Sequence, residues 1–202
     1  MSRTTNFTAT SPSWSGINTN TTMNNEDFLF INPFQINYAD GDQLYCRTNQ
    51  GLWRTVNRGA NWTKITNTIS SMYSIGVTRQ TNPTVWYGGS SARFYRINNA
   101  ATASAGTEVD LSSSVPSSIT NDYLVALSVH PSNNTILYAS FSDFKNNPRA
   151  WRVSGANTGS PTWTNISGDL PTRLPVNYIQ ADPDAPDNTL FAGTDFGLYY
   201  TT

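Results

Sequence analysis

The chain of 202 residues reads as an all-β protein, a β-propeller of about four four-stranded blades in a single domain, 1–202. Three observations predict this class. Val, Ile, Tyr, Phe, Trp and Thr come in short runs broken by Asn, Gly, Pro, Asp and Ser, and no stretch sustains a helical period. The runs recur in the same internal order. The aromatic of the second run returns at Tyr45, Trp86, Tyr138 and Phe191, a repeat of roughly 40 to 55 residues, the range of propeller blades.

The units fall at about 27–70, 71–120, 121–170 and 171–202, the last completed by 4–20. In the first, "FINPFQINYADGDQLYCRTNQGLWRT" supplies three strands and "RGANWTKIT" a fourth. The second runs through "IGVTRQTNPTVWYGGSSARFYRI" to a weak fourth strand in "SAGTEVDLS", which lacks the Trp. "LSVHPSNNTILYASFSDFKNNPRAWRV" and "NTGSPTWTNIS" form the third. The fourth, "IQADPDAPDNTLFAGTDFGLYYTT", reaches Thr202 with no fourth strand of its own. "TATSPSWSGIN" shares the Ser-Pro-x-Trp core of "NTGSPTWTNIS", so the N-terminal strand around Trp14 is expected to complete the last blade and cover its edge. A three-stranded unit cannot bury both faces alone, hence the stacking of blades. Trp53, Tyr95, Trp151 and Tyr199 hold equivalent third-strand places and read as repeated core.

Charged residues make up 12% of the chain and the net charge is -1. Such a surface has no field for phosphates and no basic face, which argues against nucleic acid as a partner. No run approaches the roughly 20 apolar residues of a membrane span, so membrane insertion is not expected either. Neutral polar cover with only two lysines points to a secreted or cell-surface protein, of bacterial type. Cys46 in "QLYCRT" reads as buried filler, since one cysteine has no internal partner.

Thr55, Asn57, Gly59 and Trp62, in "TVNRGANWT", have the spacing of a hairpin staple: an Asn folding back onto turn N–H groups, a Gly at positive φ, and a Trp buried between blades. The pattern resembles the Asp-box, or BNR repeat, of sialidase- and xyloglucanase-like propellers, and the resemblance implies an outer-rim structural role. Sialidases of this class need an arginine triad and a Tyr–Glu pair, whereas the glutamates here are Glu26 and Glu108 and no Phe/Tyr-Arg-Ile-Pro stretch stands near the start. Xyloglucanase-like enzymes use two Asp residues as acid and base. By that resemblance Asp195 in "GTDFGLY" is the catalytic candidate, although it aligns with Asn49, Ser91 and Asp143 as a turn residue.

His130, before a Pro at a strand end, reads as a surface turn residue. No cofactor is expected. The acids of 182–188 could hold Ca²⁺, without the spacing of a calcium loop. Tyr38, Phe141 and Phe144 lie in unit-specific loops and are the binding candidates. The expectation is a non-catalytic module binding glycan or protein through loops at one end, with a glycoside hydrolase or a piece of one as the alternative. A homodimer, or the remainder of a larger propeller, would complete the ring.

Overall fold

The computed structural model describes residues 2–4, 8, 10–16, 23, 28, 32–67 and 71–201. A short pair, β1 (Ser2–Arg3) and β2 (Ser15–Gly16), precedes the blades. Blade 1 holds β3 (Phe34–Ile36), β4 (Leu44–Thr48), β5 (Gly51–Thr55) and β6 (Thr63–Lys64). Blade 2 holds β7 (Met72–Val77), β8 (Val85–Gly89), β9 (Phe94–Ile97) and β10 (Val109–Asp110). Blade 3 holds β11 (Leu124–Val129), β12 (Ile136–Phe141), β13 (Ala150–Ser154) and β14 (Thr162–Asn165). Blade 4 has three strands, β15 (Val176–Ala181), β16 (Leu190–Thr194) and β17 (Gly197–Tyr200). Each blade is an antiparallel meander, so the all-β propeller class read from the sequence is the observed one.

The first strands β3, β7, β11 and β15 are innermost and line common axial cavities. They run in the same direction: Ser74 Oγ lies 3.3 Å from Leu124 O, and a Cβ at Gly76 would meet Leu127 and Val129 at 3.4 Å. The absence of a side chain at Gly76 lets β7 and β11 approach.

Side chains alternate across each strand, and the alternation assigns them to successive inter-blade cores. Tyr45 and Leu52 face forward onto blade 2, packing with Ile75, Tyr87 and Tyr95. Trp86 and Phe94 face forward onto blade 3, among Leu137, Phe141 and Trp151. Tyr138 and Ala150 face forward onto blade 4, with Ile179 and Ala181. In blades 1, 2 and 3 the recurrent second-strand aromatic therefore points at the next blade.

The forward faces of blades 1, 2 and 3 also carry an arginine opposite that aromatic in register, Arg54 on Tyr45, Arg96 on Trp86 and Arg152 on Tyr138. Arg54 Nη1 donates to Ala100 O at 2.8 Å and Ala103 O at 3.0 Å. Arg96 Nη1 donates to Ala156 O at 3.0 Å and Thr158 O at 2.6 Å. Arg54 and Arg96 thus satisfy carbonyls in a turn of the following blade. Burial lowers the pKa of both guanidiniums from the usual arginine value, but the group stays charged at neutral pH.

The staple has the geometry its spacing predicts. Thr55 Oγ accepts from Gly59 N at 2.9 Å, Asn57 Oδ1 accepts from Asn61 N at 2.8 Å, and Gly59 takes φ 86°. Trp62 is buried, but not between two blades: it shares the backward face of blade 1 with Cys46 and Trp53, covered by Met23 and Phe28. No described blade precedes blade 1, and among the described residues Met23 and Phe28 cover that face. A second correction concerns closure. Residues 15–16 pair with residues 2–3, and among the described residues the N-terminal strand does not pair with β17.

Two outcomes follow from this packing. Trp62→Ala should cost about 3 to 5 kcal/mol in urea unfolding, as large-to-small changes of buried aromatics do; an unchanged midpoint would remove the staple's structural role. Burial pushes the Cys46 thiol up to about 12 from an ordinary 9.0, and burial likewise raises the neighbouring Tyr45 phenol. The fold favours both protonated forms, so their contribution is present below the ordinary pKa and lost as pH rises towards the folded value. Stability should decline from about pH 9 upward, less steeply in Cys46→Ala; a flat alkaline profile would contradict the assignment.

Candidate functional site at the axial channel

The first strands of blades 2, 3 and 4 carry a bulge near their starts, between Met72 and Ser74, Leu124 and Ala126, and Val176 and Tyr178. A bulge leaves one residue out of the ladder and re-aims side chains. Here the extra residues are Tyr73, Val125 and Asn177, at the strand-start end of the channel. Pro33, Phe34, Tyr73 and Tyr178 line a cavity there. Phe34, Tyr73, Tyr123 and Tyr178 all keep exposed ring surface, and Tyr73 meets Tyr123 edge-on at 5.8 Å.

Hydrogen-bonding groups flank the rings. Ser142 Oγ donates to Asn177 Oδ1 at 2.9 Å, and Asn177 Nδ2 donates to Asp195 Oδ1 at 2.7 Å. Tyr178 donates its hydroxyl to Gln180 Oε1 at 3.0 Å. Burial, then the Tyr38 phenol, raises the Tyr178 pKa, which keeps it a donor at neutral pH.

Asp195 sits in the tight turn Thr194–Gly197, which repeats Thr48–Gly51 of blade 1. In both turns the threonine Oγ accepts from the backbone N–H two residues on, Gln50 N at 3.1 Å and Phe196 N at 3.2 Å. Asp195 thus occupies the place of Asn49, and its side-chain partner is an amide.

The loop 142–149 beside this mouth is pinned by a buried ion cluster. Asp122 is fully buried and accepts from Lys145 Nζ at 2.9 Å, Asn147 Nδ2 at 3.2 Å and Arg149 Nη1 at 3.2 Å. Lys145 also pairs with Asp143 at 2.7 Å. Burial works to raise the Asp143 pKa, but hydrogen bonds from the side chain and backbone N–H of Lys145 outweigh it and hold the carboxyl low. Two acids and two bases cancel, so the cluster fixes the loop without adding net charge.

The three aromatics expected to bind do not come together. Phe144, 66% exposed, projects from loop 142–149 at the strand-start end. Tyr38, 67% exposed, follows β3 at the opposite mouth, where the Arg79 guanidinium lies 5.1 Å over its ring. Phe141 is fully buried between blades 2 and 3, because β12 continues through it and its N–H still bonds Arg149 O. It is not a binding residue.

His130 is also corrected, from surface to interior. Its Nδ1 accepts from Ser132 N at 3.2 Å and Asn133 N at 3.1 Å, which places the ring proton on Nε2, 3.2 Å from Asp187 Oδ1. The acids of 182–188 are therefore used locally, Asp187 on His130 and Asp182 on the Asp184 N–H. Among the described residues no three acid, His or Cys side chains group as a metal site.

Sequence reasoning missed Phe34, Tyr73, Tyr123 and Tyr178. They lie at or beside the starts of innermost strands, and the bulge that sets Tyr73 out of the ladder leaves no mark in the alternation.

No family model matches the sequence, and no curated protein matches it. Solved structures match the fold. The GH74 xyloglucanase from Xanthomonas campestris aligns with TM-score 0.58 and 14% identity, over 83% of this chain and 27% of that one. The extracellular domain of a B. thetaiotaomicron protein assigned as a one component system aligns with TM-score 0.53 and 18% identity, over 81% and 20%. YCF48, solved bound to D1 peptide, aligns with TM-score 0.51 and 14% identity, over 79% and 46%. The chain spans less than half the length of each of these β-propellers, and the likeness is one of fold.

Proposed function

We propose that this chain is a non-catalytic propeller module that binds a glycan at the strand-start mouth of its axial channel, outside the cell, secreted or at a bacterial surface. One observation carries the reading: Phe34, Tyr73 and Tyr178, from blades 1, 2 and 4, line a cavity that Gln35 and Ser74 edge with an amide and a hydroxyl, and Tyr123 meets Tyr73 edge-on beside it. Flat aromatic faces stack on sugar rings, and neutral donors and acceptors suit hydroxyls. The low charge and scarce lysine of the sequence support the extracellular placement. The turn at Thr55–Trp62 supports reading the repeat as an Asp-box repeat. No cofactor is needed.

A second reading, a glycoside hydrolase or part of one, is favoured by the fold likeness to a xyloglucanase. It would assign Asp195 a carboxylate role.

A glycan array followed by calorimetry, with hydrolysis assays on xyloglucan and sialyl substrates, tests both. Tyr73→Ala should weaken glycan binding roughly tenfold or more, about 1.4 kcal/mol, while Val56→Ala, an exposed residue of the Thr55–Trp62 hairpin that lines neither channel cavity, leaves it unchanged. No glycan bound, or a peptide bound at the same mouth, would overturn the glycan assignment. Asp195→Asn should leave binding and melting intact, since Asn occupies the equivalent turn. If the wild-type chain hydrolyses a glycoside and Asp195→Asn lowers the rate by about 10²- to 10⁴-fold without changing the melt, the hydrolase reading replaces this one.

A further inference from the structure

Blade 4 ends with two unmet requirements on the same strand. On blades 1, 2 and 3 the forward-facing residue early in the third strand, Leu52, Phe94 or Ala150, is buried against the next blade. Its equivalent Leu198 is 69% exposed, and Tyr200, in the place of the inter-blade arginines, is 67% exposed. The β17 ladder extends through Thr201, whose N–H bonds Leu190 O at 3.0 Å, and no described strand lies on its outer side.

The backward face of β17 also has a slot. In blade 3, Trp163 lies opposite Val153, and its ring sits edge-on to Trp151 at 6.3 Å. Its Nε1 donates to Ser114 Oγ at 3.2 Å, in the loop after blade 2. Blade 1 repeats this with Trp62 beside Trp53. In blade 4 the corresponding place is a cavity bounded by Ile166, Leu170, Leu190, Tyr199 and Thr201, with Asp169 standing where Ser114 stands.

The sequence contains one further Ser-Pro-x-Trp strand, Ser11–Trp14, matching Ser160–Trp163. Laid on the β13–β14 register, it puts Trp14 opposite Thr201, Ser15 opposite Tyr200 and Gly16 opposite Tyr199. Within one copy this strand is occupied elsewhere: Ser15 and Gly16 pair with Arg3 and Ser2, and Trp14 is 66% exposed.

We propose that two copies of the chain pair by exchanging their N-terminal strands, each adding residues 11–16 to β17 of the other and seating Trp14 in the slot over Tyr199. The exchange fills the slot, gives the indole N–H the Asp169 carboxylate as acceptor, and covers the free edge. It also brings the body of the second copy against Leu198 and Tyr200. Reciprocal exchange closes on itself as a two-fold dimer and leaves no edge to propagate.

The test uses the full chain. Sedimentation should give a dimer for the wild type and a folded monomer for Trp14→Ser, whose side chain is exposed in the single copy. The double variant Ser15→Cys, Tyr200→Cys should oxidise to a covalent dimer on a non-reducing gel, with Cys46 buried and out of reach. A wild-type monomer at high concentration overturns the proposal. So does a disulfide formed within one chain, a dimer indifferent to Trp14→Ser, or an open ladder of longer species.

Discussion

The blades are joined by an interaction that reaches from one sheet into the next. Arg54 and Arg96 leave the third strands of blades 1 and 2 and bond carbonyls of Ala100, Ala103, Ala156 and Thr158 in the following blades. Those turns sit at the margins of inter-blade cores, where unpaired carbonyls are costly. In each arginine the two N–H groups of one nitrogen, Nη1, answer two carbonyls at once. The apolar cores supply cohesion, and the arginines set how one sheet lies on its neighbour.

That setting determines the site. The first strands surround the channel because each sheet is placed forward onto the next, and the bulges at Tyr73 and Val125 set those two residues in its wall. The Asp122 cluster does comparable work locally, holding loop 142–149 beside the mouth by charges that cancel. At blade 4 the arginine series ends in Tyr200, and the forward face opens to solvent at that point.

The repeat was legible because the same inter-blade packing demands a forward-facing aromatic in blades 1, 2 and 3, Tyr45, Trp86 and Tyr138, and Phe191 keeps the same strand position in blade 4. The Thr55–Trp62 turn was legible because its residues act within one hairpin. Asp195 was readable as a turn residue for the same local reason. The arginine series was visible as "LWRT", "FYRI" and "AWRV", but its meaning depends on carbonyls some 46 to 62 residues away, which no local pattern reports. Phe141 and His130 were misplaced because a strand continued one residue further than its turn signals suggested, and because a ring with two backbone donors can be satisfied inside. Tyr38 and Phe144 each lie in an exposed loop, but only the common direction of the first strands reveals that they lie at opposite mouths.

The central claim is that the arginines, and not apolar contact alone, fix successive blades. Equilibrium unfolding of Arg54→Met and Arg96→Met tests it most directly, since methionine retains much of the aliphatic stem and removes the donors. Each change should lower stability by about 2 to 3 kcal/mol, the scale of hydrogen bonds from a charged group, while Arg79→Met, on the exposed channel mouth, alters it little. Unfolding midpoints for Arg54→Met and Arg96→Met that match the wild type would contradict the account.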